Sequence, residues 1–390
     1  MYGKRKEEII MSEEVAKSKL GLMVFNSAKD LGEKVNKHLL EMYGFTDKDD
    51  TFIIPIKEFF FEDGHSKVVI DETVRGKDMY FITDIGNYSL TYKMHNFWNH
   101  TSPNDLMEQL KSGIGACCCH ARSINIIMPL LFNGRQHRRN AREDLSCART
   151  LHELDQIKGM KSIITCDAHD KGVEQALFQT EFQNYFPSNT ILDAVIRNLP
   201  AEDLKKLVFI APDNGANGRR NIYLNTCNID LNDIKAGVFY KQRDVNKVVD
   251  GKNPIIAHQY TGDKDLDGYT AFIVDDMISS GGSMFDCIDE LNKRNIKNIY
   301  IIVTYALFTN GIDKFVEYYK EKKFSGIYTT NLSYIPDEFK KCEWLHVCDC
   351  SKDIAEIIYE IHNDFSLEDK LKGRSGPQKS LRLKLNPETK

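Results

Sequence analysis

The chain of 390 residues contains no apolar run of the roughly 18 residues that would cross a bilayer. Residues 1–20 are charged and polar with no apolar signal core, which leads us to expect a cytoplasmic protein that does not engage a membrane. Positive charge is not in surplus. Lys and Arg number 52 against 57 Asp and Glu, a net charge of −5 that argues against a general nucleic-acid binder but permits a local basic site. Regular cysteine spacing is missing as well, so the ten cysteines make no disulfide framework in a chain this long. Cys117-Cys118-Cys119-His120 invites a zinc reading, but neighbours on a helix point around its axis and cannot converge on one ion. Cys348 and Cys350 flank Asp349 on a predicted strand and read as buried thiols.

What is present is an ordinary globular composition, 42% hydrophobic and 28% charged, with length for two domains of about 150 residues plus extensions. The most informative stretch is Tyr269–Met284, YTAFIVDDMISSGGSM. Ala271 to Val274 reads as a buried parallel strand closed by Asp275 and Asp276. Ser279-Ser280-Gly281-Gly282-Ser283 follows, and Met284 to Asn292 has helical spacing. A strand, a glycine loop and a helix N-terminus direct backbone N–H groups and the positive helix end at one spot, where a phosphate is the expected guest. The two acids suit sugar hydroxyls or a metal. A double glycine after a strand is by itself more often a plain turn. Hydroxyl residues on both sides and the preceding acids favour a site for phosphate and ribose.

Along the rest of the chain, Leu22–Phe25 reads as the first strand and Lys29–Met42 as a helix. Phe52–Ile56, Lys67–Ile70, Met79–Thr83 and Ile124–Leu131 read as further strands. Phe59-Phe60-Phe61 beside the turn at Gly64 is either core or a platform for a flat base. Ser102-Pro103-Asn104-Asp105 is a helix start, with a hydroxyl cap and proline in the first turn, and the helix is expected to reach about Arg122. Arg135, His137, Arg138, Arg139, Arg142 and Arg149 form the most basic loop, readable as a solvated face, a nucleic-acid patch or a nucleoside polyphosphate site. Ser162–Cys166 ends in Asp167-Ala168-His169-Asp170, where His169 is a magnesium or phosphate contact or merely hydrogen-bonded. Leu207–Ala211 ends in Pro212-Asp213-Asn214-Gly215. Three strands thus end in acids beside turns, as the active edge of an α/β enzyme requires. Lys370–Lys390 reads as a basic mobile tail or an added strand at Leu381–Leu385.

The Tyr269–Met284 stretch resembles the ribose-phosphate loop shared by type I phosphoribosyltransferases and ribose-phosphate diphosphokinases. The order Phe61-Glu62-Asp63-Gly64, Val74-Arg75-Gly76-Lys77-Asp78, Asn104-Asp105-Leu106-Met107-Glu108, Arg135-Gln136-His137-Arg138, Asp167-Ala168-His169, Pro212-Asp213-Asn214-Gly215, Lys241-Gln242-Arg243 and Gly262-Asp263 extends the resemblance to diphosphokinases over Gly21 to about Leu367. It implies an α/β fold of two similar type I phosphoribosyltransferase-like domains, each a mostly parallel sheet flanked by helices. The expected domains are 21–188 on the ATP side and 189–367 on the ribose 5-phosphate side, between an extension at 1–20 and a basic tail at 368–390. It also implies transfer of the diphosphoryl group of ATP to the anomeric hydroxyl of ribose 5-phosphate, magnesium as cofactor, and a homo-oligomer based on dimers, up to a hexamer.

Carried over by motif, Phe61, Asp63, Arg135, Gln136, Arg138 and His169 take ATP, with Phe61 and Asp63 serving a neighbouring subunit. His169 and Asp213 sit at the metal. Asp275, Asp276, Ser279, Ser280, Gly281, Gly282 and Ser283 take ribose 5-phosphate. His169, Arg219 and Arg220 supply catalytic charge; Gly218 stands where the family usually carries a lysine followed by arginine, and Ser279 where diphosphokinases usually carry a third acid. Those two departures leave a catalytically weakened nucleotide-binding homologue, or less readily a phosphoribosyltransferase, as the alternatives.

Overall fold

The computed structural model describes residues 13–139, 142–243, 255–367 and 376–386, and it divides the chain into two compact units. Most of the N-terminal extension and half of the basic tail lie outside the described residues. No described helix is long and apolar enough to cross a membrane.

The first unit holds residues 1–186, 331–334 and 349–372. It starts with helix α1 (Glu13–Lys19), strand β1 (Leu20–Val24) and helix α2 (Lys29–Tyr43). A hairpin of β2 (Ile56–Phe60) and β3 (Ser66–Ile70) precedes β4 (Asp78–Ile82), and a second hairpin, β5 (Thr91–Met94) with β6 (Phe97–His100), precedes α3 (Pro103–Cys117). Then come β7 (Ser123–Ile127), α4 (Ser146–Asp155), β8 (Met160–Cys166) and β9 (Glu181–Tyr185). The sheet runs β1-β4-β7-β8-β9, all parallel. Met23, Phe81, Ile126 and Ile163 share one buried cluster with Leu106, Leu110 and Ile114 of α3 and Leu151 and Leu154 of α4.

The second unit holds residues 187–330, 335–348 and 373–390. Its elements are α5 (Ser188–Asn198), β10 (Lys206–Ala211), α6 (Asn217–Cys227), β11 (Asp233–Arg243), β12 (Ile255–Gly262), β13 (Thr270–Ile278), α7 (Gly282–Asn292), β14 (Asn298–Ala306), α8 (Asp313–Lys320), β15 (Gly326–Thr330), α9 (Asp337–Lys340) and β16 (Leu345–Cys348). The sheet order is β12-β11-β10-β13-β14-β15-β16, with only β11 and β12 antiparallel. Alternation along the buried strands feeds two cores. Ala271 and Ile273 face Met284, Ile288 and Leu291 of α7 and Phe315 of α8, whereas Phe272 and Val274 face Ile191 and Val195 of α5 and Tyr223 of α6.

The chain then returns to the first unit with α10 (Ser351–His362), which packs on α2, and the expected span 189–367 therefore contains a helix belonging to the first unit. The buried His362 ring lies 3.0 Å from Asp78, which also accepts from Arg122 Nε at 2.7 Å and Ser123 Oγ at 2.7 Å. Against burial, these partners hold the Asp78 carboxyl well below its ordinary range.

Several expected elements shift. Phe52–Ile56 is not a strand: Ile53 makes a single bridge to Leu22, and pairing starts at Ile56. The strand expected over Ile124–Leu131 ends at Ile127, just ahead of Pro129, which has no amide to donate. The helix expected to reach Arg122 stops at Cys117. The expected strand Leu381–Leu385 is instead the end of a helix, α11 (Gly376–Leu385), because Pro377, Leu381 and Leu385 recur every four residues and Leu381 and Leu385 pack into the second unit's core. The hairpin β5–β6, not foreseen, turns on His95 and Asn96, both in the left-handed region at φ 47 and 67.

The start of α3 is as read. Asp105 N donates to Ser102 Oγ at 3.3 Å, and Ser102 N donates back to Asp105 Oδ2 at 2.8 Å. Ser102→Ala should lower unfolding free energy by about 1 kcal/mol in urea titrations, with Ser102→Asn close to wild type.

Candidate active site

In the second unit the chain leaves β10 for β11 on one side and β13 for β14 on the other, so the strand order reverses between β10 and β13. Open α/β sheets form their ligand crevice at such a reversal, beyond the carboxyl ends of the strands. β10 pairs with β13 only as far as Ile273, whereas β14 continues alongside to Ile278. Asp275 and Asp276, expected to close the strand at its carboxyl end, lie within its last four residues and so stand where one neighbour has fallen away. Asp276 is buried, and its amide donates to Asp275 Oδ1 at 2.9 Å. Burial, then the neighbouring Asp276 charge, pushes the Asp275 carboxyl well above its ordinary range; Arg219 opposes this and Asp213 adds to it. Arg219, on α6, is buried with Nη1 3.7 Å from Asp275 Oδ1. The structure therefore brings Asp213, Arg219, Asp275 and Asp276 into one electrostatic cluster.

The loop beyond β13 has the expected build. Gly281 caps α7 at φ 81, and its carbonyl accepts from Met284 N at 2.9 Å and Phe285 N at 3.0 Å. A Cβ there would lie 2.6 Å from Phe315 Cζ and 2.9 Å from Phe285 Cε2, so glycine is required by both conformation and space. Ser280 and Gly282 are exposed and Ser279 and Ser283 are half-buried around the first turn of α7, where helix amides and the positive dipole end favour a phosphate. Asp213 follows β10 and accepts from Ala216 N at 3.2 Å. Arg220 does not join this cluster. Its Nη1 donates to the Gly237 carbonyl at 3.0 Å and its Nε and Nη2 to Asn221 Oδ1, and burial lowers its pKa. Gly218 is exposed in the first turn of α6 with open space around it.

In the first unit, Asp170 gathers part of the expected nucleotide set. Arg138 Nη2 donates to Asp170 Oδ2 at 2.9 Å, His137 Nε2 lies 3.3 Å from the same oxygen, and the exposed His169 ring sits 5.3 Å from that of His137. The Gly172 amide, then Arg138, keep the Asp170 carboxyl below its ordinary range. A cleft of about 340 Å³ opens beside Arg138, Asp170, Ala148 and Val173. Arg135 and Gln136 are exposed in the turn just before, anchored by Gln136 N donating to Asn133 O at 2.8 Å. Arg149, expected in the basic loop, instead belongs to α4 and pairs with Asp144 and Glu153. Phe61 and Asp63 stand apart at the tip of the hairpin β2–β3. Phe61 is 46% exposed beneath Lys67, and the amide and then the ring of His65 lower the Asp63 pKa. On the same hairpin Glu58, missed in the sequence, accepts from Asn26 N at 2.7 Å and is pushed up to about 7 by burial.

No three Asp, Glu, His or Cys side chains converge as a metal cage among the described residues.

Both units resemble domains of known proteins. Residues 183–332 match the phosphoribosyl transferase domain and residues 20–157 match the N-terminal domain of ribose phosphate pyrophosphokinase. The chain is 25% identical over 316 residues to the ribose-phosphate pyrophosphokinase of Gloeobacter violaceus, covering 80% of this chain and 84% of that one. With that of Nostoc sp. it shares 26% over 310 residues, 79% and 83% of the two chains. The crystal structure of phosphoribosylpyrophosphate synthetase from Mycobacterium smegmatis superposes with a TM-score of 0.69 at 19% identity, over 89% of this chain and 99% of that one. Fold and site thus define a two-domain protein of phosphoribosyltransferase type. The chain belongs to the ribose-phosphate pyrophosphokinase family.

Gly281→Ala should lower stability by about 2 to 4 kcal/mol, from left-handed strain and the clash with Phe315. Asp275→Asn should act oppositely. A carboxyl whose folded pKa is raised makes stability fall as pH rises from the unfolded value through the folded one, so the variant should melt higher than wild type at pH 8 and the gap should close toward pH 4.

Proposed function

We propose that this chain is a ribose-phosphate diphosphokinase that moves the terminal diphosphoryl group of ATP to the anomeric hydroxyl of ribose 5-phosphate, yielding phosphoribosyl diphosphate and AMP. The observation that carries this reading is the end of β13: an acid pair, Asp276 buried and Asp275 half-buried, and a hydroxyl-flanked glycine turn opening α7 at the reversal of strand order. Asp275 and Asp276 suit the ribose hydroxyls, and Ser279 to Ser283 the 5-phosphate. Asp213 stands beside the acid pair as a metal contact. In the first unit, Arg135, Gln136, Arg138 and His169 take the ATP phosphates, and Phe61 and Asp63 serve adenine across a subunit boundary in a homo-oligomer. Diphosphoryl transfer needs positioning and neutralised charge rather than an enzyme nucleophile, which matches a site of guanidiniums, imidazole and carboxylates. Magnesium bound with the nucleotide would supply further neutralisation; Asp213 in the second unit and His169 in the first are its candidate contacts. We place the enzyme in the cytoplasm, without membrane or nucleic-acid partners.

With ribose 5-phosphate, ATP and magnesium, the purified protein should form AMP in step with phosphoribosyl diphosphate; no AMP above background across metal and phosphate concentrations would refute the assignment. Arg135→Ala should reduce turnover at least about 10-fold while melting as wild type does, since an exposed loop residue carries little packing.

A weakened nucleotide-binding homologue is the second reading. It is favoured by Arg219 and Arg220 both being engaged inside the second unit, beside a Gly218 with no side chain. A Gly218→Lys variant is sterically permitted. A gain of roughly 10-fold or more over a slow wild type would support the weakened homologue; a fast wild type excludes it.

A further inference from the structure

The loop after β14 lies along the glycine turn. Leu307 N and Phe308 N both donate to Ile278 O, at 2.9 and 3.3 Å, and Thr309 N donates to Ser279 O at 3.0 Å. Phe308 takes the left-handed region at φ 45 while its ring is buried edge-on against Phe315, centroids 5.3 Å apart. Phe315 is the ring on which Gly281 closes, so one buried aromatic supports both loops. On this base the exposed Thr309 and half-buried Ser279 meet, Oγ1 and Oγ 3.2 Å apart. They are 30 residues apart in the chain.

A serine hydroxyl has one hydrogen and two lone pairs. The contact allows either hydroxyl to donate; with Thr309 as donor to Ser279 Oγ, the serine keeps its own hydrogen to give to a ligand, made more polar by the bond it accepts. A hydroxyl at that place serves an anionic oxygen.

We infer that Thr309 is a positioning residue of the pentose-phosphate site, orienting the Ser279 hydroxyl as a donor to the sugar's phosphate. This rests on the proposed ribose 5-phosphate site and adds a residue that neither the chain order nor the glycine motif marks. Thr309 need not touch the ligand; it acts through Ser279. A valine, of the same shape without the hydroxyl, should therefore weaken binding without disturbing the loop. Its effect should vanish once Ser279 has no hydroxyl to orient.

Calorimetric titration of ribose 5-phosphate into the full chain, with magnesium and α,β-methylene ATP present, tests this. Thr309→Val should raise the dissociation constant about 3- to 10-fold, and Thr309→Ser should stay within about twofold of wild type. Ser279→Ala should weaken binding similarly, and Thr309→Val in that background should add nothing. In turnover, KM for ribose 5-phosphate should rise while KM for ATP holds. Unchanged affinity in Thr309→Val, or an equal loss in both backgrounds, would overturn the inference. A wild type that binds no ribose 5-phosphate would refute the functional reading itself, and this inference with it. Melting curves matching wild type separate either result from misfolding.

Discussion

Two carboxylates on consecutive residues at the end of a central strand repel each other, and burial adds to the cost of charging them. The buried guanidinium of Arg219, 3.7 Å from Asp275 Oδ1, opposes that cost. On the proposed function, ligand hydroxyls or a cation would offset that cost, and the surrounding structure serves to hold the acids at the carboxyl end of the strand.

That service has two parts. The reversal of strand order ends the β10 pairing at Ile273 while β14 continues, so the acids sit on a strand supported on one side and accessible on the other. The glycine turn then closes on Phe315, with Phe285 and Phe308 packed against the same ring. An aromatic wedge of this kind limits how far the loop backbone can shift, and a phosphate cradle of amides and hydroxyls needs its groups placed to within about 0.5 Å.

The first unit is likewise a parallel sheet flanked by helices. Its strands follow chain order from β1 to β9 without reversal, and its functional groups lie on loops and on a hairpin. Asp170 is its organising charge, pairing with Arg138 and His137 and capping its own turn through Gly172 N. Exposed guanidiniums at Arg135 and Arg138, spared the packing that fixes Arg219, suit a flexible polyphosphate more than a small rigid sugar.

The local chemistry was legible in the amino-acid order because it is local. A strand, two acids and a glycine turn into a helix are contiguous, and each is dictated by alternation, by φ above zero at Gly281 or by helix capping. The same holds for the Ser102 cap of α3. Distance in the chain hid the rest. That Arg219 meets Asp275, that Arg220 turns instead to Gly237, and that Thr309 reaches Ser279 depend on which strands neighbour which. Leu381–Leu385 became helix because the second unit's core rewards a repeat of four. Sequence determined which residue types can form each turn and end; only the packed sheets decided which ends came together, because contact across 30 or more residues is set by strand order and not by any neighbouring residue.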